Sequence, residues 1–221
     1  MGEAPRRLDH ATLQAGVAEL CARDAALAAV VERLGAPPLW ARRPGFATLV
    51  HVILEQQISI AAARTMFRRL GAQLGGVSAA SIHDCGEARL RELGLTRQKA
   101  RYCHGLAARV LDGRLDLATV ARADDPEGRR ALLEVPGLGP WSVDIYYLMA
   151  LRRPDVWPQG DLALAVALRE LKRLRKPPST DRQSAIAARW APWRSIGARI
   201  LWSHYLAARG QYSPRTGIAP A

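Results

Sequence analysis

Asp161 stands in the run Trp157-Pro158-Gln159-Gly160-Asp161-Leu162-Ala163-Leu164, a carboxylate placed directly before an apolar stretch. Such a residue can cap the helix that follows by accepting a first-turn amide N–H. A carboxylate can also face a substrate and stabilise positive charge that develops there, although capping is the usual role of such a residue. Upstream, Val135-Pro136-Gly137-Leu138-Gly139-Pro140 sets two glycines two residues apart between the apolar segments 132–135 and 141–151. Glycine lets the backbone turn tightly and lets a phosphate come close to main-chain amides, and a helix starting near Pro140 adds the positive end of its dipole. The same pattern serves an ordinary turn between two packed helices. Both readings stay open on these residues alone.

Other chemistries are excluded by what surrounds these groups. Cys21, Cys85 and Cys103 are far apart and show no CxxC spacing, so neither a disulfide framework nor a zinc or iron–sulfur site is indicated. The five histidines are scattered without an HxxxH pattern, and Ser203 beside His204 points to a different side of a helix, so no nucleophilic pair is formed there. A formal net charge of +12 makes a polyanion the leading partner class, nucleic acid before an anionic membrane surface. No run approaches ~18 consecutive apolar residues and the start, MGEAPRRLDHATL, lacks the hydrophobic segment of a signal peptide. A soluble, cytoplasmic protein with no membrane partner is the expectation.

These groups need a scaffold, and the apolar periodicity supplies helices throughout. Residues 10–34 read as helix broken near Cys21 to Asp24, with Asp24 capping the second part and Gly35 stopping it. Pro37, Pro38 and Pro44 make 36–45 a loop. Phe46, Leu49, Val50, Ile53 and Leu54 recur at helical spacing, and their run ends in Glu55, Gln56 and Gln57. Ser59 caps the next helix, which Gly75-Gly76 ends; shorter helices are predicted over 78–83, 86–93 and 97–112. Asp125 caps a helix with Pro126 at its first position, running through Leu133. Asp161 caps another to about Leu174, Ser179 or Thr180 starts one toward Trp190, and Pro192 opens the last, Trp193 to Arg209, before a loose tail from Gln211. No segment alternates with period two, so the chain is predicted to be all-α.

Four motifs in order now carry a resemblance: ILEQQIS over 53–59, LxxxPGLGPW from Leu132, WPQGDLAL over 157–164, and RWAPWRSIGARILWSHYL over 189–206. Together they resemble the helix-hairpin-helix (HhH-GPD) DNA glycosylase superfamily, in its DNA-3-methyladenine glycosylase II branch, across nearly all of residues 40–210. The resemblance implies two helical lobes with an intervening DNA-binding cleft. One lobe is 43–154 with the hairpin; 1–42 plus 155–221 make the other. Many members of this branch carry an N-terminal antiparallel β domain, and nothing before Asp9 supplies one here.

The implied activity is a monofunctional DNA glycosylase of base excision repair, which flips an alkylated, 3-methyladenine-type base out of double-stranded DNA and removes it hydrolytically, leaving an abasic site. The resemblance makes Asp161 the catalytic carboxylate, and Gln57 with Gln56 the wedge that fills the vacated stack. Gly137, Gly139 and Ser142 would contact DNA. Trp141, Trp202 and Tyr146 would line the base pocket; the tyrosine of the family's pocket falls at Ile145, with Tyr146 and Tyr147 adjacent. Trp40 and Trp157 are further candidates for that pocket. Trp141 also occupies the place where bifunctional members carry a lysine, so no lyase activity is expected. The backbone carbonyls of Leu133, Val135 and Gly137 would hold a structural Na+ or K+, with no cofactor required and the protein acting as a monomer. Pro192 to Ser195 matches a helix-start segment in which Arg194 braces the cleft. Two other readings stand beside this one: a non-catalytic helix-hairpin-helix protein that binds DNA or senses damage, and a glycosylase for deaminated bases.

Overall fold

The computed structural model describes residues 7–212, and every regular element among them is helical. α1 (His10–Arg23) opens on a capping box between Asp9 and Thr12. α2 (Ala25–Leu34) is capped by Asp24, whose carboxylate accepts the Ala26 and Leu27 amides, and Gly35 closes it. α3 (Phe46–Glu55) ends at Gln56, and α4 (Ile60–Leu74) starts on the Ser59 hydroxyl. The two short helices predicted over 78–93 are one element, α5 (Ala79–Glu92), bent at Gly86, where φ is 72°. α6 (Arg97–Leu111) follows the Thr96 cap.

α7 (Leu117–Arg122), capped by Asp116, was not expected; one and a half turns is too short for a periodic apolar face to show. α8 (Asp125–Leu133) is capped by Asp124 rather than Asp125, which is its first helical residue. α9 (Pro140–Ile145) runs directly into a π-helical turn, Tyr146–Ala150. α10 (Leu162–Leu171), α11 (Thr180–Ala188) and α12 (Arg194–Ala207) complete the chain, with Asp161 and Ser179 capping α10 and α11. The tail expected to be loose from Gln211 lies beyond the described residues except at its start, where Tyr212 is buried.

The chain divides into two compact units. One joins residues up to Ala41 with those from Tyr147 onward, and the other runs Arg42–Tyr146, so the second crossing falls within the helix that follows the hairpin rather than after Pro154. In the first, Leu13, Val17, Leu20, Leu27, Val30, Leu164, Leu168, Ile196, Ile200 and Leu201 form the core. Gly16 lets α1 approach α12 closely, since a Cβ there would run into the Ile196 and Trp193 side chains. In the second, Leu49, Val50, Ile53, Leu70, Ile82, Leu90, Cys103, Leu106, Leu132 and Val143 are buried together.

Candidate DNA-binding and catalytic residues

In the Arg42–Tyr146 unit, the hairpin between α8 and α9 is a tight turn, with the Val135 N–H bonded to Leu132 O at 3.1 Å and the Leu138 N–H to Val135 O at 3.0 Å. Val135 and Leu138 are buried, anchoring it from below. Gly137 has φ 95°, a left-handed value, and a Cβ at this residue would collide with the ring of Tyr102 on α6. This glycine is therefore required twice over, by the backbone conformation and by close packing. Gly139 has an ordinary φ of −84°, and open space surrounds its Cβ position. The Arg129–Asp144 ion pair ties α8 to α9, with the Asp144 carboxylate buried.

α3 reaches this hairpin through Gln56, whose Nε2 donates to Gly137 O at 2.8 Å and to the Ser142 hydroxyl at 2.9 Å. Ser142 is only 2 % exposed, so its side chain holds Gln56 inside the unit instead of facing DNA. Gln56 likewise acts as a strut, while Gln57 is exposed with φ 60° and flanked by the exposed Ile58 and Ile60. Trp141 is half-buried. Tyr146, expected in the base pocket, is 0 % exposed and its hydroxyl accepts the Gly45 N–H at 3.0 Å. Burial raises its phenol pKa. A side chain with no exposed surface offers no face to a base, and aromatic type alone could not reveal which way it points.

Of the three carbonyls expected to hold Na+ or K+, those of Leu133, Val135 and Gly137, Gly137 O takes the Gln56 amide and Val135 O takes the Leu138 N–H. A carbonyl oxygen has two lone pairs, so each could still offer one to a monovalent cation, and no step is assigned to that ion. Among the described residues no group of three or more His, Cys, Asp or Glu side chains could hold a metal.

In the other unit, Asp161 is 8 % exposed, and its Oδ1 accepts both the Leu164 N–H at 2.9 Å and the Trp202 indole N–H at 3.3 Å. The carboxylate thus caps α10 and also touches an aromatic cluster. Trp40 lies 6.5 Å from Trp202, tilted by 56°, and meets Tyr212 edge-on at 6.2 Å. Trp40 has φ 45°, and its indole Nε1 is buried without a hydrogen-bond partner among the described residues. Trp157 instead packs edge-on against Trp190, 5.7 Å away, in the core. Leu162, next to Asp161, is 72 % exposed.

The segment leading to Asp161 is clamped by the start of α12. Arg194 grips the Asp155 carboxylate with two bonds, at 2.7 and 2.8 Å. The Ser195 hydroxyl donates to Arg153 O at 2.7 Å and accepts the Val156 N–H at 2.9 Å. One residue the sequence reading passed over is Arg199, fully buried on α12. Its guanidinium donates to Leu39 O, Ser195 O and Leu148 O, and burial pushes its pKa down to about 9. An arginine inside the apolar run Ile196 to Leu201 was the available signal.

A proline-and-glycine hairpin joining two short helices in an all-helical chain defines a helix-hairpin-helix protein. The chain belongs to the HhH-GPD superfamily of base excision DNA repair proteins, whose profile matches residues 50–192. It is similar to a probable bifunctional transcriptional activator/DNA repair enzyme AlkA of Mycobacterium tuberculosis, at 31 % identity over 96 % of this chain and 46 % of the relative. It thus spans about half the length of that relative. A putative DNA-3-methyladenine glycosylase, YfjP, of Bacillus subtilis is 26 % identical over 80 % of this chain and 64 % of its own. The fold is shared with a Schizosaccharomyces pombe 3-methyladenine DNA glycosylase solved in complex with abasic DNA, at TM-score 0.81 and 22 % identity, covering 90 % of this chain and 98 % of that one.

Proposed function

We propose that this chain is a monofunctional DNA glycosylase that removes alkylated, 3-methyladenine-type bases from double-stranded DNA by hydrolysis, leaving an abasic site. Working as a monomer in the cytoplasm, it would need no cofactor. The observation that carries the reading is Asp161, a buried carboxylate bonded by the Trp202 indole within an aromatic cluster. Breaking an N-glycosidic bond builds positive charge on the sugar, and a fixed carboxylate in a low-dielectric setting stabilises that charge. Glycoside hydrolysis ordinarily needs a second, acidic carboxyl to protonate the leaving oxygen. An alkylated purine is already cationic and leaves as a neutral base, so one carboxylate suffices.

Electron-rich indole faces attract such a cationic ring; Trp202 bonds the carboxylate, and Trp40 stands 6.5 Å from Trp202. Strand cleavage would require an amine nucleophile, and lysine is absent between Lys99 and Lys172, with Trp141 following the hairpin. Support also comes from relatives named as DNA-3-methyladenine glycosylases.

The test is base release from a methylated duplex by the wild type and by Asp161→Asn. Equal release by the two removes Asp161 from the mechanism. No release from any alkylated duplex removes the activity, and strand breaks without alkaline treatment remove the monofunctional part of the reading.

A further inference from the structure

The corner between α3 and α4 carries more ties than a turn of its length requires. Leu54 O accepts the Lys99 ammonium at 2.7 Å. Gln56 bonds the hairpin and Ser142, and the Glu55 carboxylate takes two bonds from Arg42, at 2.6 and 3.0 Å. The ties arrive from α6, from the hairpin with α9, and from the segment preceding α3. At their centre Gln57 keeps a left-handed φ of 60°, which a residue with a Cβ holds only where its surroundings determine the backbone.

Lys99 is the unusual member. It is 8 % exposed, and among the described residues no carboxylate pairs with it. Burial holds its ammonium below the ordinary lysine range. What offsets the charge is the last turn of α3, where unpaired carbonyls and the negative end of the helix dipole meet it. The chain uses arginine for nearly all its other cations, with lysine only at 99, 172 and 176. A compact ammonium on a slender stem acts there as a point charge, delivered to one carbonyl at 2.7 Å.

We propose that Lys99 is a positioning residue for base flipping: by pinning Leu54 O it fixes the end of α3 and so presents Gln57 to the duplex. This rests on the glycosylase reading for its effect on base release, but not for its effect on DNA distortion. The test uses the whole chain and two duplexes, one methylated and one carrying a tetrahydrofuran abasic analogue beside 2-aminopurine, whose fluorescence rises on unstacking. Lys99→Met keeps the stem and removes charge and donors. It is expected to abolish the fluorescence rise and to lower kcat for base release by about tenfold or more, with KM and DNA affinity changed by less than about threefold. Lys99→Arg, which keeps a cationic donor, is expected to recover part of both signals.

A Lys99→Met protein with the wild-type fluorescence rise overturns the proposal. So does one whose affinity, kcat and melting temperature fall together while Lys99→Arg recovers nothing. Should Lys99→Met fail to fold, Lys99→Gln, a neutral donor too short for Leu54 O, gives the same decision. If the wild type releases no base, the glycosylase reading fails, while the 2-aminopurine comparison still decides the role of Lys99.

Discussion

Around the hairpin, under the proposed function, residues 133–139 would present backbone to a DNA phosphate, and the neutral groups Gln56 and Ser142 hold that backbone in place. Around Asp161 a single side chain would do the presenting, and its support comes from the Trp202 indole and the Arg194 and Ser195 clamp on the preceding segment, with Arg199 bonded to Ser195 O. The first arrangement depends on where the chain can turn. The second depends on which neighbours enclose one carboxylate. Grip on DNA should therefore be sensitive to glycine changes, and chemistry to changes in buried polar groups.

The largest expected effect is on chemistry alone: Asp161→Asn lowers single-turnover base release by about 10²–10⁴-fold, with duplex affinity by fluorescence anisotropy within about threefold. A comparable loss of affinity would break the contrast. Next, Arg199→Met leaves the carbonyls of Leu39, Ser195 and Leu148 without their buried donor and costs about 3 kcal/mol in urea unfolding. On the hairpin side, Gly137→Ala meets both the left-handed φ and the Tyr102 ring, costing about 2 kcal/mol together with DNA affinity. Gly139→Ala, with an ordinary φ and open space, leaves melting unchanged and weakens only binding. Equal stability loss in these two alanine variants would erase the distinction between them.

The smallest effect is a pH slope. Burial, with Arg42 and Arg64 nearby, holds the His51 ring down to about 4 from its ordinary 6.5. The unfolded chain takes up a proton there as pH falls below 6.5, while the folded chain refuses it until about 4. Stability from the neutral ring is thus full above 6.5 and is lost as pH falls toward 4. Glu55, whose carboxyl burial raises, works in the opposite direction beside it. Melting temperature should fall between pH 6.5 and 4.5 in the wild type, and less steeply in His51→Phe, which retains a ring to stack on Phe67.

Helix starts were legible because capping is local chemistry: Asp24, Ser59, Asp161 and Ser179 each accept an amide in the turn they precede. The hairpin glycines were legible for the same reason, and Gly137 carries the left-handed φ expected of one. What sequence spacing does not encode is direction. Tyr146 points inward to Gly45 N, Ser142 to Gln56, and Gln56 to the hairpin, because each answers to a partner distant in the chain. Trp40 and Trp157 look alike in the sequence, yet Trp40 approaches Trp202 while Trp157 packs on Trp190.

Scarcity of lysine gives the molecule a built-in set of reporters. Nitrogen-15 labelling of lysine side chains alone would mark Lys99 under α3, Lys172 bonded to both Asp24 oxygens at 2.9 Å, and the exposed Lys176. Ammonium protons exchange with water fastest where they are most exposed, so the three signals should differ in persistence, Lys99 lasting longest. A change in that one resonance on adding duplex would report movement at the end of α3 without any substitution in the protein.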